Sequence, residues 1–336
     1  MSRIMLLGRV LLMLSLLSII VVHGGLPLTV DNKATIRIGI NYVVIIVMEN
    51  EGVGQTYACG PDCSFLSSFG NNSSLAQNYY SKWCSSLPNY LILLGGSDFS
   101  NNQCTSCSPQ TCPSIWPIEE QNIVDRIELS GRTWKAYMED YRGSGSGTSF
   151  SSGGCFLQSY QKYVSWHNPF IFFKDIENST SRCSRIVRAN TLNSTTSPEV
   201  DDLFLRDLQQ TSTSSNLMWL VPNNCDNMHD LCFSTSRIRQ GDQYLSKLVP
   251  NILDSPLFKA GEAALFVTWD EGACGTCSQQ LTAIWAGPVT KSHYCNCSTG
   301  QYYDHASFPR TLEAIWHLQS LGHLDATAPA MTEFFL

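Results

Sequence analysis

The sequence predicts an α/β fold with a mainly parallel central sheet flanked by helices. Two observations carry this: short apolar runs fit for strands buried on both faces, and stretches of 3.6-residue periodicity between them. Val43 to Met48 is the first run, and it stops abruptly at Glu49, Asn50, Glu51 and Gly52. Pro88, followed by apolar Leu91 to Leu93, reads as the first turn of a helix. Asn122 to Ser130 carries Ile123, Val124 and Ile127 on one face and stops at Gly131. Asp201 to Gln209 has helical spacing. Leu217 to Val221 is a second strand run and ends in Pro222, Asn223 and Asn224. Asp242 to Leu253 is helical. Ala263 to Trp269 is a third run, ending in Asp270 and Glu271; Leu281 to Ala286 is a fourth, ending in Gly287 and Pro288. Ser307 to Leu318 closes the series as a helix with Leu312, Ile315 and Trp316 as its stripe. The Ser- and Gly-rich stretches 143–154 and 190–198 read as surface insertions, because the strand–helix rhythm continues past both.

The 336 residues, 43% of them hydrophobic, suffice for a large core, and a chain this rich in apolar residues is not disordered over most of its length. The chain has 21 Lys and Arg against 28 Asp and Glu, a formal charge of −7, and no basic run. That argues against a nucleic-acid partner. The long apolar stretch, Val10 to Val22, follows Arg3 and Arg9 and is short for a spanning helix. With Gly24 and Gly25 behind it, it reads as a secretory signal over residues 1–24, the alternative being an uncleaved anchor that would bring membrane contact. Residues 35–330 are then expected to form a single domain, secreted or at the cell surface.

The 14 cysteines fit an exported, disulfide-rich chain. A zinc ribbon from Cys274, Cys277, Cys295 and Cys297 is the alternative, although its second pair is one residue tighter than the usual knuckle. Asn71, Asn72, Asn178, Asn193 and Asn296 head glycosylation sequons.

In open α/β sheets, ligands bind beyond the C-terminal strand ends. Here three such ends carry polar residues: Glu49 and Asn50, then Asn223 to Asp230, then Asp270 and Glu271. Oxygen ligands delivered to one edge suit a hard divalent cation. His229 beside Asp230, and His305 beside Asp304, add histidines paired with carboxylates. Ser85 and Ser86 precede the Pro88 turn. A serine there sits at the positive end of a helix dipole, where an alkoxide or phosphoserine is stabilised, or it serves as a plain N-cap.

The segments around Met48–Asn50, Ser86–Tyr90, Thr133–Asp140, His167–Phe170, Val221–Asp230, Thr268–Gly272 and Tyr303–Glu313 stand in one order over residues ~42–318. In that order they resemble the phosphoesterase family of acid phosphatases and phospholipases C, in the alkaline phosphatase superfamily. The resemblance implies an alkaline-phosphatase-like sheet and a divalent metal cation of unknown identity, held by Glu49, the Ser86 oxygen, Asp270 and Glu271, with Asn50 at or beside it. It implies Ser86 as nucleophile and Asn89 as a hydrogen-bond donor to a phosphoryl oxygen. His167, His229 and His305 would surround the phosphate, with His305 or His229 protonating the leaving group. Asp226, Asp230 and Asp304 are neighbours. Asn223 stands where two-metal relatives carry an Asp, and Asp270–Glu271 replaces an Asp-His pair, so one metal is expected. The expected activity is hydrolysis of a small-molecule phosphate ester through a phosphoserine, foremost a phosphomonoester. The alternatives are a phospholipase C-type phosphodiesterase and a non-catalytic surface protein on the same scaffold. The monoester expectation rests on the length of the chain, which ends soon after His305, on the lack of a basic amphipathic helix, and on the acidic charge. Trp83, Tyr79, Tyr80 and Tyr90 are candidates for an aromatic pocket, or for core.

Overall fold

Val43 to Met48 have no exposed surface, and neither do Leu217 to Leu220 or Ala263 to Val267, as the apolar runs require of central strands. The structure, a computed structural model, describes residues 39–99, 107–142, 155–191, 201–272 and 279–336. The expected signal at 1–24, residues 143–154 and 192–200 of the insertions, Asn193, Cys104, Cys274 and Cys277 lie outside these.

The strands are β1 (Tyr42–Met48), β2 (Ser74–Leu75), β3 (Tyr79–Tyr80), β4 (Trp134–Met138), β5 (Ile186–Arg188), β6 (Leu217–Val221), β7 (Ala263–Trp269), β8 (Gln280–Leu281), β9 (Ala283–Ala286), β10 (Tyr294–Cys295) and β11 (Tyr303–Asp304). Eight form one sheet in the order β10-β2-β9-β7-β1-β6-β4-β5, and β11-β3-β8 form a small second sheet. Strand β1 runs parallel to β6 and β7, with Val43 opposite Leu217 and Ala264; β4 runs parallel to β6 and β5. The parallel register brings Met48, Met138, Val221 and Trp269 to one edge, so Glu49, Glu139, Pro222 and Asp270 all emerge there.

The fourth apolar run departs from the expectation. It splits into β8 and β9, and β9 pairs antiparallel with β7. Strand β4 lacks a continuous apolar run because Lys135 reaches a half-buried position, where its Nζ meets Asp207 Oδ2 at 2.5 Å.

Helices cover the sheet. Ser86–Gly95 is buried at every residue, which explains its apolar character all round. It ends at Gly96, whose φ of 70° and neighbour Asp325, 2.6 Å from where a Cβ would stand, both require glycine. Arg237–Leu253 starts five residues before the expected Asp242, with Ser236 Oγ accepting from Arg239 N at its start. Ile123–Leu129 and Ser307–Trp316 fall where periodicity puts them.

Among the described residues, disulfides join Cys59–Cys63, Cys107–Cys112, Cys155–Cys183, Cys225–Cys232 and Cys295–Cys297. The last takes up the second half of the zinc-ribbon alternative. Asn71, Asn72 and Asn178 are exposed. Asn296 is not a glycan acceptor in this fold: it has no exposed surface, and its side chain bonds Gln77 N at 2.7 Å and Gln301 O at 3.2 Å. Among the described residues no helix is long and apolar enough to cross a membrane.

Candidate active site

Ser86 is the first residue of its helix, where the N–H groups of the opening turn have no intrahelical partners. Ser85 takes the N-cap position, yet its side chain makes no capping bond, and its buried Oγ has no hydrogen-bond partner. The side chain of Ser86 is 7% exposed, and its Oγ lies 3.3 Å from Glu49 Oε2 and 3.4 Å from Glu271 Oε1. The helix N-terminus, the end of β1 and the end of β7 thus converge on one hydroxyl.

Glu49 has no exposed surface. Tyr90 OH donates to its Oε1 at 2.6 Å, and His167 Nδ1 stands 3.3 Å from the same oxygen. The rings of Tyr90 and His167 stack at 5.6 Å. Tyr90 was not singled out as a partner of Glu49, although it lies four residues after Ser86 and so on the same helical face. Burial first, and then the Asp270 charge, hold the Glu49 carboxyl well above the usual carboxylate range.

Asp270 is fully buried. Its Oδ1 accepts from Asn50 N at 3.0 Å and Glu271 N at 2.7 Å, and its Oδ2 has no hydrogen-bond partner. Burial pushes its pKa up to about 6. Asn50 takes a left-handed φ of 52°, a conformation that Asn tolerates better than most residues, and its buried Oδ1 is also without a partner. Glu51, 1% exposed, pairs with Arg237 Nε at 2.5 Å, which ties this turn to the helix Arg237–Leu253.

The predicted metal set therefore gathers around Ser86. Among the described residues no three His, Cys, Asp or Glu side chains stand at the spacing of a closed metal centre. The donor chemistry nonetheless fits a hard cation: the groups are all oxygens, and Asp270 Oδ2 and Asn50 Oδ1 are buried oxygens left over.

The histidines divide. His167 is 3% exposed, its Nε2 has no partner, and burial and then His229 hold its pKa well below the usual value. His229, half-exposed, lies with its ring 6.0 Å from that of His167, and its Nδ1 is 2.7 Å from Asp230 Oδ1. His305 departs from the role the resemblance implies. It has no exposed surface, and both ring nitrogens are engaged, Nδ1 with Tyr79 OH at 2.9 Å and Nε2 with the Asp270 carbonyl at 2.5 Å. Burial lowers its pKa to about 4.

Asn89 also departs. Its Nδ2 donates to the carbonyls of Trp83 (2.7 Å) and Ser85 (2.9 Å), and its Oδ1 accepts from Lys82 N (3.2 Å) and Trp83 N (3.1 Å). Both ends of the amide are spent on the loop before Ser86. Asn223 and Asp226 lie under this edge, beside Glu139: Asn223 N donates to Glu139 Oε2 at 2.8 Å. Of the aromatic candidates, Tyr79 and Tyr90 are core, Tyr80 stacks on Tyr302 at 5.1 Å, and Trp83 Nε1 donates to Asp98 at 2.7 Å. Asp304 Oδ1 accepts from Ala306 N at 3.0 Å, at the start of the helix Ser307–Trp316.

The family model described as the Phosphoesterase family matches residues 55–319. A probable acid phosphatase of Kluyveromyces lactis is 25% identical over 252 residues, covering 75% of this chain and 53% of that protein. A phosphate-repressible acid phosphatase of Penicillium chrysogenum is 25% identical over 264 residues, covering 78% of this chain and 57% of its own. The chain thus spans about half the length of the curated relatives it matches. A solved structure from Vibrio parahaemolyticus, described as a protein in the alkaline phosphatase superfamily, superposes with a TM-score of 0.55 at 13% identity, covering 88% of this chain and 71% of that one. It shares the fold.

Proposed function

This chain belongs to the Phosphoesterase family, and we propose that it is an exported phosphoric-ester hydrolase, foremost a phosphomonoesterase, that works through a phosphoserine at Ser86. One observation carries the reading: a buried serine hydroxyl at a helix N-terminus, within 3.4 Å of carboxylates from two separate strand ends. The relatives named acid phosphatase support the monoester. The disulfides among the described residues support export, and with it cleavage of the segment 1–24.

Glu49, Asn50, Ser86, Asp270 and Glu271 would hold a divalent cation. When bound, it would lower the pKa of the serine hydroxyl and draw charge from the phosphoryl group. The chain's own residues do the rest. Ser86 Oγ gives its proton to a facing carboxylate oxygen and attacks phosphorus, and the bond to the leaving oxygen breaks. His167 Nδ1 donates to Glu49 and holds that carboxylate in place, which leaves its buried Nε2 as an acceptor toward the site. His229, oriented by Asp230, gives a proton to the departing alcohol. It then takes one from the water that attacks the phosphoserine, the Oγ–P bond breaks, and Ser86 Oγ recovers its proton from the carboxylate. Asn89 and His305 touch none of these atoms and hold the frame.

Hydrolysis of p-nitrophenyl phosphate by the purified chain, with and without chelator, tests the reading. Turnover that disappears in Ser86→Ala is expected. Undiminished turnover in that variant refutes the nucleophile.

A further inference from the structure

We infer that His305 is a positioning residue, the middle of a buried Tyr79–His305–Asp270 strut that sets the metal-side carboxylates and exchanges no proton with substrate. The inference deepens the phosphoesterase reading and rests on it only for what the strut serves.

The strut comes from the small sheet. Strands β3 and β11 pair in parallel, with Tyr79 opposite Tyr303 and Tyr80 opposite Asp304. That register carries Tyr79 to the ring of His305, 5.5 Å between centroids and 62° between planes. The hydroxyl is 2.9 Å from Nδ1, and Nε2 is 2.5 Å from the Asp270 carbonyl oxygen. A carbonyl oxygen only accepts, so Nε2 carries the hydrogen. In a neutral ring Nδ1 is then the acceptor, and the tyrosine O–H donates to it. Neither residue has exposed surface. The ring keeps no lone pair and no N–H with which to serve a phosphate ester.

What the strut holds is the turn after β7. The Asp270 carbonyl is its anchor. The same residue's Oδ1 takes the N–H groups of Asn50 and Glu271, and Glu271 Oε1 faces Ser86 at 3.4 Å. A shift of that carbonyl moves Asp270, Glu271 and the Asn50 turn together. A histidine was suited to the post because its two nitrogens lie on opposite sides of a rigid ring and span from one sheet to the other.

The test uses the full secreted chain and three variants. Glutamine offers an N–H at about the reach of Nε2, so His305→Gln should keep kcat within ~10-fold of wild type, whereas loss of a general acid costs ~10²- to 10⁴-fold. His305→Phe fills the space without a donor and should lose ~100-fold in kcat with KM nearly unchanged, the cost of an orphaned buried carbonyl at the carboxylate turn. Tyr79→Phe should fall between the two. Imidazole ¹⁵N chemical shifts of wild-type His305 should report the Nε2-protonated neutral tautomer. Glutamine as damaging as phenylalanine, or a ring protonated at Nδ1, overturns the inference. If the wild-type chain hydrolyses no phosphate ester, the phosphoesterase reading fails and the ¹⁵N shifts alone decide the strut.

Discussion

Replacing Asn89 with alanine separates a residue that holds the nucleophile loop from one that contacts phosphate. The side chain is fully buried and makes four hydrogen bonds to backbone groups of residues 82–85. Truncation orphans all four. A buried polar group left unsatisfied costs ~1–3 kcal/mol. Only the bond to the Ser85 carbonyl is wholly interior; Lys82 and Cys84 are exposed, so water reaches the rest of the loop. One full penalty and three reduced ones give about 3 kcal/mol. For a chain of this size that corresponds to a fall in Tm of about 4 °C. Because the loop leads directly into Ser86, kcat should fall as well, by ~10- to 100-fold, the scale on which a misplaced reacting group is felt. Thermal melts and p-nitrophenyl phosphate turnover on the same preparation decide it. A large loss of turnover with an unchanged melt would refute the positioning argument and restore Asn89 as a phosphate donor.

Ser86→Ala should abolish turnover with an unchanged melt, since the contacts of Oγ with Glu49 and Glu271 are long, 3.3 and 3.4 Å, while Ser85→Ala should be mild because its hydroxyl bonds nothing. Elemental analysis of the purified chain should find about one divalent metal, and Asp270→Asn should weaken its binding by removing a charged oxygen ligand; a fully active, metal-free sample would contradict the donor set. Glu313 is pushed up to about 7, by burial first and then by Asp325. Against an unfolded value near ~4.3, the native state holds the extra proton between the two, so stability falls as pH rises through that window. Glu313→Gln should flatten this slope, read as the urea midpoint against pH. Removing the Cys155–Cys183 bridge, which spans 28 residues, should cost ~3–4 kcal/mol by loop entropy, visible as a lower denaturation midpoint.

The strands that were legible are those buried on both faces. β1, β6 and β7 fall on their apolar runs because nothing polar interrupts them. The direction of β9 was not legible, since periodicity carries no sign. Two-residue strands such as β2, β3, β10 and β11 have no pattern to read, yet β3 supplies Tyr79. The carboxylates were visible as polar residues abutting strand ends, because the parallel sheet delivers such ends to one edge. What those residues touch was not visible. His305 looks like any histidine beside an aspartate until its two nitrogens are found between Tyr79 and the Asp270 carbonyl, and Asn89 resembles a ligand donor until its amide is found closed on the loop.

The charge at this edge explains why the donor set calls for a cation. Glu49, Asp270 and Glu271 are each 3% exposed or less and lie together around Ser86. Burial raises both Glu49 and Asp270 above the usual carboxylate range, and for Glu49 the charges of Asp270 and Glu271 add to it. A phosphate ester brings further negative charge to the same point. The hydrogen bonds from Tyr90 and from the Asn50 and Glu271 amides spread the carboxylate charge but leave its sign unchanged. Arg237 cannot serve, since it is spent on Glu51 at 2.5 Å. The helix N-terminus at Ser86 offers about half a positive charge, too little for three acids and a phosphate. A divalent cation on the carboxylate oxygens would offset two of these negative charges and so reduce the repulsion that a phosphate ester meets at this edge.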